Sequence, residues 1–228
     1  MHFFLLNKQK NGKIKIRIKW RKGEFYVKQD AFTLLKHSET EGHLKRVQMY
    51  TKELLDFHNK RLNLNLSKEE KADIVHGSVM HDLGKAGVSE RILCKKGPLE
   101  EHERTIIETH PLIGAYMLDK MIDATSYENK NRYTITKNII KYHHERWDGT
   151  GYPEKLKEHE IPFEARLISV VDTYDALTSK RCYKEPWTVE EAIHFIKEKK
   201  AIFFEPTIVE SFLLLKNKWK KMTEFAPI

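Results

Sequence analysis

The sequence predicts an all-α domain of about seven helices, preceded by a small and basic β-meander. From Ala31 onward, apolar residues recur at helical spacing. Residues 13–20 instead alternate between cationic and apolar side chains, which is typical of a strand. The chain has 228 residues, 40% of them apolar, and can therefore bury a sizeable core. We expect two parts, a β-strand appendage over residues 1–30 and a helical domain over residues 31–228.

The N-terminal part holds most of the net charge. It contains nine of the 41 Lys and Arg residues and two acids, so it carries +7 of the net charge of +8. Phe3 to Leu6 and Phe25 to Val27 are expected to flank the alternating strand. We interpret its cationic face as the solvated face of a capping sheet; a surface for nucleic acid or anionic lipid is the alternative. A second copy of the chain or a protein partner could also bind to this sheet. Residues 31–228 are nearly neutral, so we do not expect that part of the chain to bind nucleic acid.

The helices follow in order from their apolar spacing and their end signals. Ser67 and Glu70 form a capping-box pattern that starts a helix running to about His81. Gly149, Gly151 and Pro153 require a loop. The remaining predicted helices are one through Val47 and Leu55, one from about Leu99 that is interrupted near Pro111, one through Ile135 and Tyr142, one from Pro162 to about Ser179, and two over about 188–199 and 206–220.

Composition also excludes several classes of protein. No apolar run approaches the roughly 20 residues of a membrane span. The two cysteines, Cys94 and Cys182, are far apart in the sequence, which excludes a disulfide framework and a cysteine zinc ribbon. We therefore expect a cytoplasmic protein with reduced thiols.

Histidines and aspartates mark the candidate site. His81 and Asp82 end an apolar helix, where a buried aspartate would cost several kcal/mol unless a cation paired with it. A carboxylate can bridge two ions. His143 and His144 form a second adjacent pair, which alone is weak evidence for a metal site. Asp172 and Asp175 share one face of an apolar helix; ligand binding is the interpretation we favour, and caps or an internal salt bridge are the alternatives.

An ordered set of motifs resembles the HD-GYP domain, a subgroup of the HD metal-dependent phosphohydrolases. These motifs are HDLGK (81–85), His110, HHERWDGTGYP (143–153), Asp172 and TSKRCYK (178–184). The resemblance covers about residues 31–220 and implies an HD-type helical bundle with two or three divalent metal ions. By motif match, the implied metal ligands are His43, His81, Asp82, His110, His143, His144 and Asp172.

The resemblance also implies roles around the metals. Asp82 matches the bridging carboxylate, and Asp82 and Lys85 are expected to be catalytic. Lys85, Arg181 and Lys184 are expected to contact phosphate, and Tyr152 and Asp175 to contact substrate. A role for Tyr152 in ordering the loop behind the two histidines is the alternative. Glu39 lies four residues before His43 and so shares its helix face; it is expected to help hold a third ion, with an ordinary surface glutamate as the alternative.

The implied activity is hydrolysis of cyclic di-GMP to pGpG, and from there to GMP. A nitrogen and oxygen ligand set without thiolates suits iron or manganese. Two other functions stay open from the sequence. One is a phosphodiesterase for a related cyclic dinucleotide such as cyclic GMP-AMP, and the other is a non-catalytic interaction module.

Overall fold

The computed structural model describes residues 18–21, 24–27, 41–123, 130–179 and 185–224. Within these ranges the chain forms ten α-helices, so the all-helical class is confirmed, with more helices than the seven expected. The helices are α1 (Glu41–Leu62), α2 (Lys68–Gly77), α3 (Glu90–Leu93), α4 (Glu101–Ile107), α5 (His110–Asp123), α6 (Lys130–Tyr142), α7 (Phe163–Thr178), α8 (Val189–Glu198), α9 (Pro206–Leu214) and α10 (Lys216–Glu224). Three 3-10 turns add Ser78–Met80, Leu83–Gly87 and Glu158–Glu160.

The additional helices have simple causes. Helix α3 is a single turn in a segment that has no apolar periodicity to predict it. The helix predicted over 206–220 is divided at Leu215 into α9 and α10. The Trp219 indole N–H donates a hydrogen bond to the backbone carbonyl of Phe212 at 2.7 Å. The same carbonyl also accepts the Leu215 backbone N–H at 3.1 Å, so the Trp219 side chain adds a second bond at the end of α9.

The N-terminal part contains a two-stranded antiparallel pair within the described residues. Strand β1 (Ile18–Arg21) pairs with β2 (Glu24–Val27), with Ile18 opposite Val27 and Arg21 opposite Glu24. The third predicted strand, Phe3 to Leu6, lies outside the described residues. The meander and the domain boundary at residue 30 therefore stay predictions.

Local capping fixes where the helices begin. The Ser67 hydroxyl accepts a hydrogen bond from the Glu70 backbone N–H at 3.0 Å, and the Glu70 carboxylate accepts one from the Ser67 N–H at 2.8 Å. This reciprocal pair is the capping box predicted for α2. Thr188 and Glu191 form the same arrangement at the start of α8.

The core is built around α7. The main apolar cluster includes buried residues of α1, α6, α7, α8 and α9, such as Leu54, Ile139, Val170, Ile196 and Val209. A smaller cluster joins the 3-10 turns to α5 and α6 and contains Met80, Leu83, Leu118, Met121 and Ile140. Helix α6 belongs to both clusters, so its C-terminal end lies where they meet.

Membrane crossing has no support among the described helices. None combines the length and the apolar character that a bilayer span requires.

Candidate metal centre

The His81–Asp82 pair lies in the turn that follows α2. The helix ends at Gly77, and the 3-10 turns on either side bend the chain so that both side chains are buried. Gly84 makes this turn fit against α5. A Cβ atom at that position would lie 1.8 Å from the His110 carbonyl oxygen, so no other residue allows the two backbones to approach this closely. The contact brings Asp82 beside His110.

Three histidines are oriented by backbone carbonyls. In each, the Nδ1 atom lies within hydrogen-bond distance of a carbonyl three or four residues earlier, and a carbonyl can only accept. Each ring must therefore donate through Nδ1, which leaves the Nε2 lone pair of the neutral ring directed toward the site. The pairs are His81 with Ser78 (2.7 Å), His110 with Ile107 (2.7 Å) and His143 with Ile139 (3.0 Å).

Asp82 lies at the centre of these rings. One carboxylate oxygen is 3.1 Å from His110 Nε2 and 3.7 Å from His143 Nε2, and the other is 3.1 Å from His81 Nε2. The three Nε2 atoms and Asp82 Oδ1 are fully buried, yet they form no hydrogen bond within the described part of the chain. Buried polar atoms in this state cost free energy, and a cation among them removes that cost.

The donor atoms form two groups that share Asp82. The first contains Asp82, His110, His143 and His144, and the second contains His43, His81, Asp82 and Asp172. Within each group the atoms lie within 4.8 Å of one another. The structure thus brings together seven of the eight predicted ligands, and Glu39 lies outside the described residues. Imidazole nitrogens and carboxylate oxygens without a thiolate fit divalent first-row metals, and the shared carboxylate fits two of them.

The protonation of the second histidine pair agrees with metal binding. Burial lowers the pKa of His143 and, helped by the neighbouring histidines, lowers that of His144 well below its usual range. Both rings are therefore neutral, as metal ligands must be. Burial opposes ionisation of Asp82, but Lys85 and His81 hold the pKa of that carboxyl well below its usual value. The pKa of Asp172 is likewise lowered, chiefly by His81 against the effect of burial. In turn, Asp82 and Asp172 raise the pKa of His81 well above its usual value against the effect of burial. A metal ion bound by His81 would therefore have to displace a proton from its ring.

Asp175 lies behind the site rather than at its surface. It is fully buried, and its oxygens are 2.6 Å from His43 Nδ1 and 2.6 Å from Arg46 Nε. The substrate contact assigned to Asp175 finds no support in this geometry, because both oxygens face protein groups. The internal salt bridge, the alternative for this pair of aspartates, describes Asp175, whereas Asp172 does lie among the metal donors.

The Gly-Tyr-Pro loop packs directly on the second histidine pair. The Tyr152 ring stacks on His144 with ring centroids 4.8 Å apart. A Cβ at Gly151 would lie 2.4 Å from the Arg146 backbone nitrogen, so this close return of the chain requires glycine. Buried Glu145 accepts hydrogen bonds from the backbone N–H groups of Glu154 (2.7 Å) and Leu156 (3.1 Å), which fixes the far side of the loop.

The structure describes one of the three residues that are expected to contact phosphate. The Lys85 ammonium lies 2.6 Å from Asp82 Oδ2, at the edge of the donor groups. Arg181 and Lys184 lie outside the described residues. Sequence reasoning missed Arg46 and Glu145 as supporting residues. Arg46 follows His43 by three residues and so shares its helix face, a spacing that could have indicated the link.

Comparisons with known proteins agree with this geometry. A family model described as HD domain matches residues 38–208. The chain belongs to the HD domain family. The resemblance to HD-GYP proteins is confirmed by relatives that include a probable cyclic di-GMP phosphodiesterase of Vibrio cholerae, 35% identical over 226 residues, covering 92% of this chain and 49% of the relative.

Two further similarities bear on substrate and fold. A 3'3'-cGAMP-specific phosphodiesterase 2 of the same organism is 34% identical over 175 residues, covering 77% of this chain and 31% of that protein. A crystal structure of a cyclic GMP-AMP-specific phosphodiesterase of V. cholerae, V-cGAP3, superposes with a TM-score of 0.54 at 16% identity, covering 87% of this chain and 51% of that one. That likeness shows the HD-type fold. The chain spans less than half the length of these two curated relatives.

Proposed function

We propose that the chain hydrolyses the phosphodiester bonds of cyclic di-GMP, giving pGpG and then GMP. The observation that carries this proposal is the shared carboxylate of Asp82, which joins two groups of buried metal donors. Relatives named as cyclic dinucleotide phosphodiesterases support the substrate class. Divalent ions held here would withdraw charge from a phosphate and lower the pKa of water enough to supply a nucleophile at neutral pH.

The chain's own residues have separate tasks in this proposal. His43, His81 and Asp172 would hold one ion, and His110, His143 and His144 the other, with Asp82 between them. Lys85, whose ammonium is 2.6 Å from Asp82, would exchange part of that contact for a phosphate oxygen of the substrate. Iron or manganese is the expected metal from the ligand types. A third ion at Glu39 stays part of the proposal, as do phosphate contacts by Arg181 and Lys184.

The second candidate is hydrolysis of 3'3'-cyclic GMP-AMP. The specific observation in its favour is the relative of that name, which is nearly as similar as the cyclic di-GMP relative. The same metal chemistry would serve both substrates. The third function, a non-catalytic module, is disfavoured because HDLGK and the Gly-Tyr-Pro element are both intact. A cytoplasmic location and a partner for the basic N-terminal segment stay predictions.

A metal and substrate assay tests the proposal. Protein loaded with Mn²⁺ or Fe²⁺ is incubated with cyclic di-GMP, cyclic GMP-AMP and cyclic di-AMP, and the products are separated by chromatography. We expect pGpG from cyclic di-GMP and no product after chelation. Asp82→Ala should lose both hydrolysis and bound metal while the helical circular-dichroism signal persists. A metal-replete and active Asp82→Ala protein would contradict the shared-carboxylate arrangement.

A further inference from the structure

A pocket of about 470 Å³ opens beside the candidate metal centre. One of its walls is formed by His144 and Tyr152, whose rings stack on each other. His144 also belongs to one of the two donor groups, so this wall is shared between the pocket and the metals. The volume lies within the range of roughly 300–1,000 Å³ that is typical of ligand pockets. A ligand with its phosphate at the metals could therefore place a neighbouring group in this pocket.

The other walls carry opposite charges and an aromatic ring. Glu108 follows the last turn of α4, and Arg146 follows the second histidine pair in the sequence; both line the pocket. The Arg146 guanidinium lies over the Phe203 ring, 3.9 Å from its centroid. This stack orients a planar, fork-shaped donor along the wall. The pocket thus offers a carboxylate acceptor, guanidinium donors and flat surfaces on which a base can stack.

Glu108 and Tyr152 both line the pocket. Burial raises the pKa of the Tyr152 hydroxyl, and the carboxylates of Asp82 and Glu108 add to that shift. Glu108 is half-buried, which leaves its carboxylate accessible to a ligand. Arg104, one turn before Glu108 on α4, and Glu145 also line the pocket, but the Glu145 carboxylate already accepts from the backbone of the Gly-Tyr-Pro loop. Glu108 and Arg146 can therefore contact two different edges of one base.

Nucleobases differ in how they match this arrangement. Guanine has two adjacent donors, its N1–H and its 2-amino group, which fit one carboxylate, and its O6 and N7 acceptors suit arginine. Adenine has a bare N1 acceptor beside its amino group, and that lone pair would face a carboxylate unfavourably. We propose that this pocket binds one guanine base of the dinucleotide, with Glu108 accepting from N1–H and the 2-amino group and Arg146 donating to O6 and N7.

This inference rests on the proposed function, because the ligand is a cyclic dinucleotide whose phosphate lies at the metal centre. It makes Glu108 a specificity-determining residue and assigns the preference for guanine to one identifiable contact. Cyclic di-GMP and cyclic GMP-AMP both contain guanine and can occupy the pocket. Cyclic di-AMP contains no guanine and cannot form these contacts.

Binding to the full chain after chelation gives a readout that does not depend on turnover. Calorimetric titration of wild type with cyclic di-GMP and cyclic di-AMP should show a preference for cyclic di-GMP of roughly 10-fold or more, the discrimination expected of one bidentate contact. Glu108→Gln should remove most of that preference, because the amide can donate to adenine N1 as well as accept from guanine. Arg146→Gln should weaken cyclic di-GMP binding by removing the donors to O6 and N7, which keeps the test open if Glu108→Gln fails to fold.

Glu101→Gln is the matched control. Glu101 lies on α4, is exposed, and does not line the pocket, so the same chemical change there should leave the preference as in wild type. Equal binding of both dinucleotides by wild type, or an unchanged preference in Glu108→Gln, would overturn the inference. Hydrolysis of bis(p-nitrophenyl) phosphate, which has no base, tests the metal chemistry of the wild type separately. A base preference that depends on Glu108 without any hydrolysis would therefore support the pocket and refute the proposed activity.

Discussion

Replacing Asp175 by asparagine should weaken one metal site more than the other. Asp175 Oδ2 lies 2.6 Å from His43 Nδ1 and orients the only ring in the second donor group that has a carboxylate behind it. An asparagine oxygen can still accept this hydrogen bond, but without the negative charge that increases the basicity of the ring. Loss of such a supporting carboxylate typically lowers metal affinity by about 10–100-fold. The group of His110, His143 and His144 has no contact with Asp175 among those described and should retain its ion.

The same substitution should also destabilise the fold. Arg46 is only 9% exposed, and its Nε atom lies 2.6 Å from Asp175 Oδ1. Removing one partner of a buried ion pair costs about 3–5 kcal/mol, because the remaining charge loses its compensation. His43 and Arg46 lower the pKa of Asp175 against the effect of burial. The Asp175 carboxylate therefore stabilises the fold fully above its pKa in the unfolded chain, about 3.9. This contribution is lost as the pH falls through its lower pKa in the folded chain.

Urea unfolding of metal-free protein and metal titration followed by elemental analysis measure the two effects. Asp56→Asn is a suitable control, because Asp56 is 42% exposed in its pairs with Lys52 and Lys71. Surface pairs of this kind contribute about 0–1 kcal/mol. An Asp175→Asn protein that loses no more stability than the control, and binds both ions as wild type does, would refute the positioning role of Asp175.

Three further predictions concern other parts of the chain. Gly84→Ala should remove bound metal and lower the free energy of unfolding by several kcal/mol, because the alanine Cβ would lie 1.8 Å from the His110 carbonyl oxygen. Thermal unfolding and metal analysis measure the two effects, and unchanged values would contradict the close contact. Tyr152→Ala should reduce turnover far more than metal content, whereas equal losses would favour a purely structural loop. Burial lowers the pKa of His58, so the unfolded chain binds more protons than the folded chain below about pH 6.5, and the free energy of unfolding should fall as the pH decreases there. His58→Gln should make this pH dependence weaker in urea unfolding. An identical pH dependence would exclude His58 as its source.

The helices could be predicted from the sequence because their signals are local, as are those of the His81–Asp82 and His143–His144 pairs, whereas His43 and His110 enter the candidate ligand set only through the resemblance to the HD-GYP family. A capping box, helical apolar spacing and adjacent His and Asp residues all lie within a few positions of one another. The break at Leu215 has no such local signal, and the Trp219 indole that contacts Phe212 there lies four residues further along the chain. The surroundings of Asp175 are not local either. Its partners His43 and Arg46 are on a helix more than 100 residues away in the sequence, and only the packing of α1 against α7 brings them together.

The different supports of the histidines follow from where each lies on its helix. His81, His110 and His143 come at or just beyond helical turns, where a carbonyl oxygen, with its two lone pairs, can accept from the ring even when it also accepts from a backbone N–H. Those carbonyls accept the Nδ1 protons. His43 lies in the first turn of α1, and its Nδ1 is paired with the Asp175 carboxylate of α7. A buried carboxylate requires a counter-charge. Arg46 supplies that charge from the same helix as His43, so α1 and α7 together position this candidate ligand.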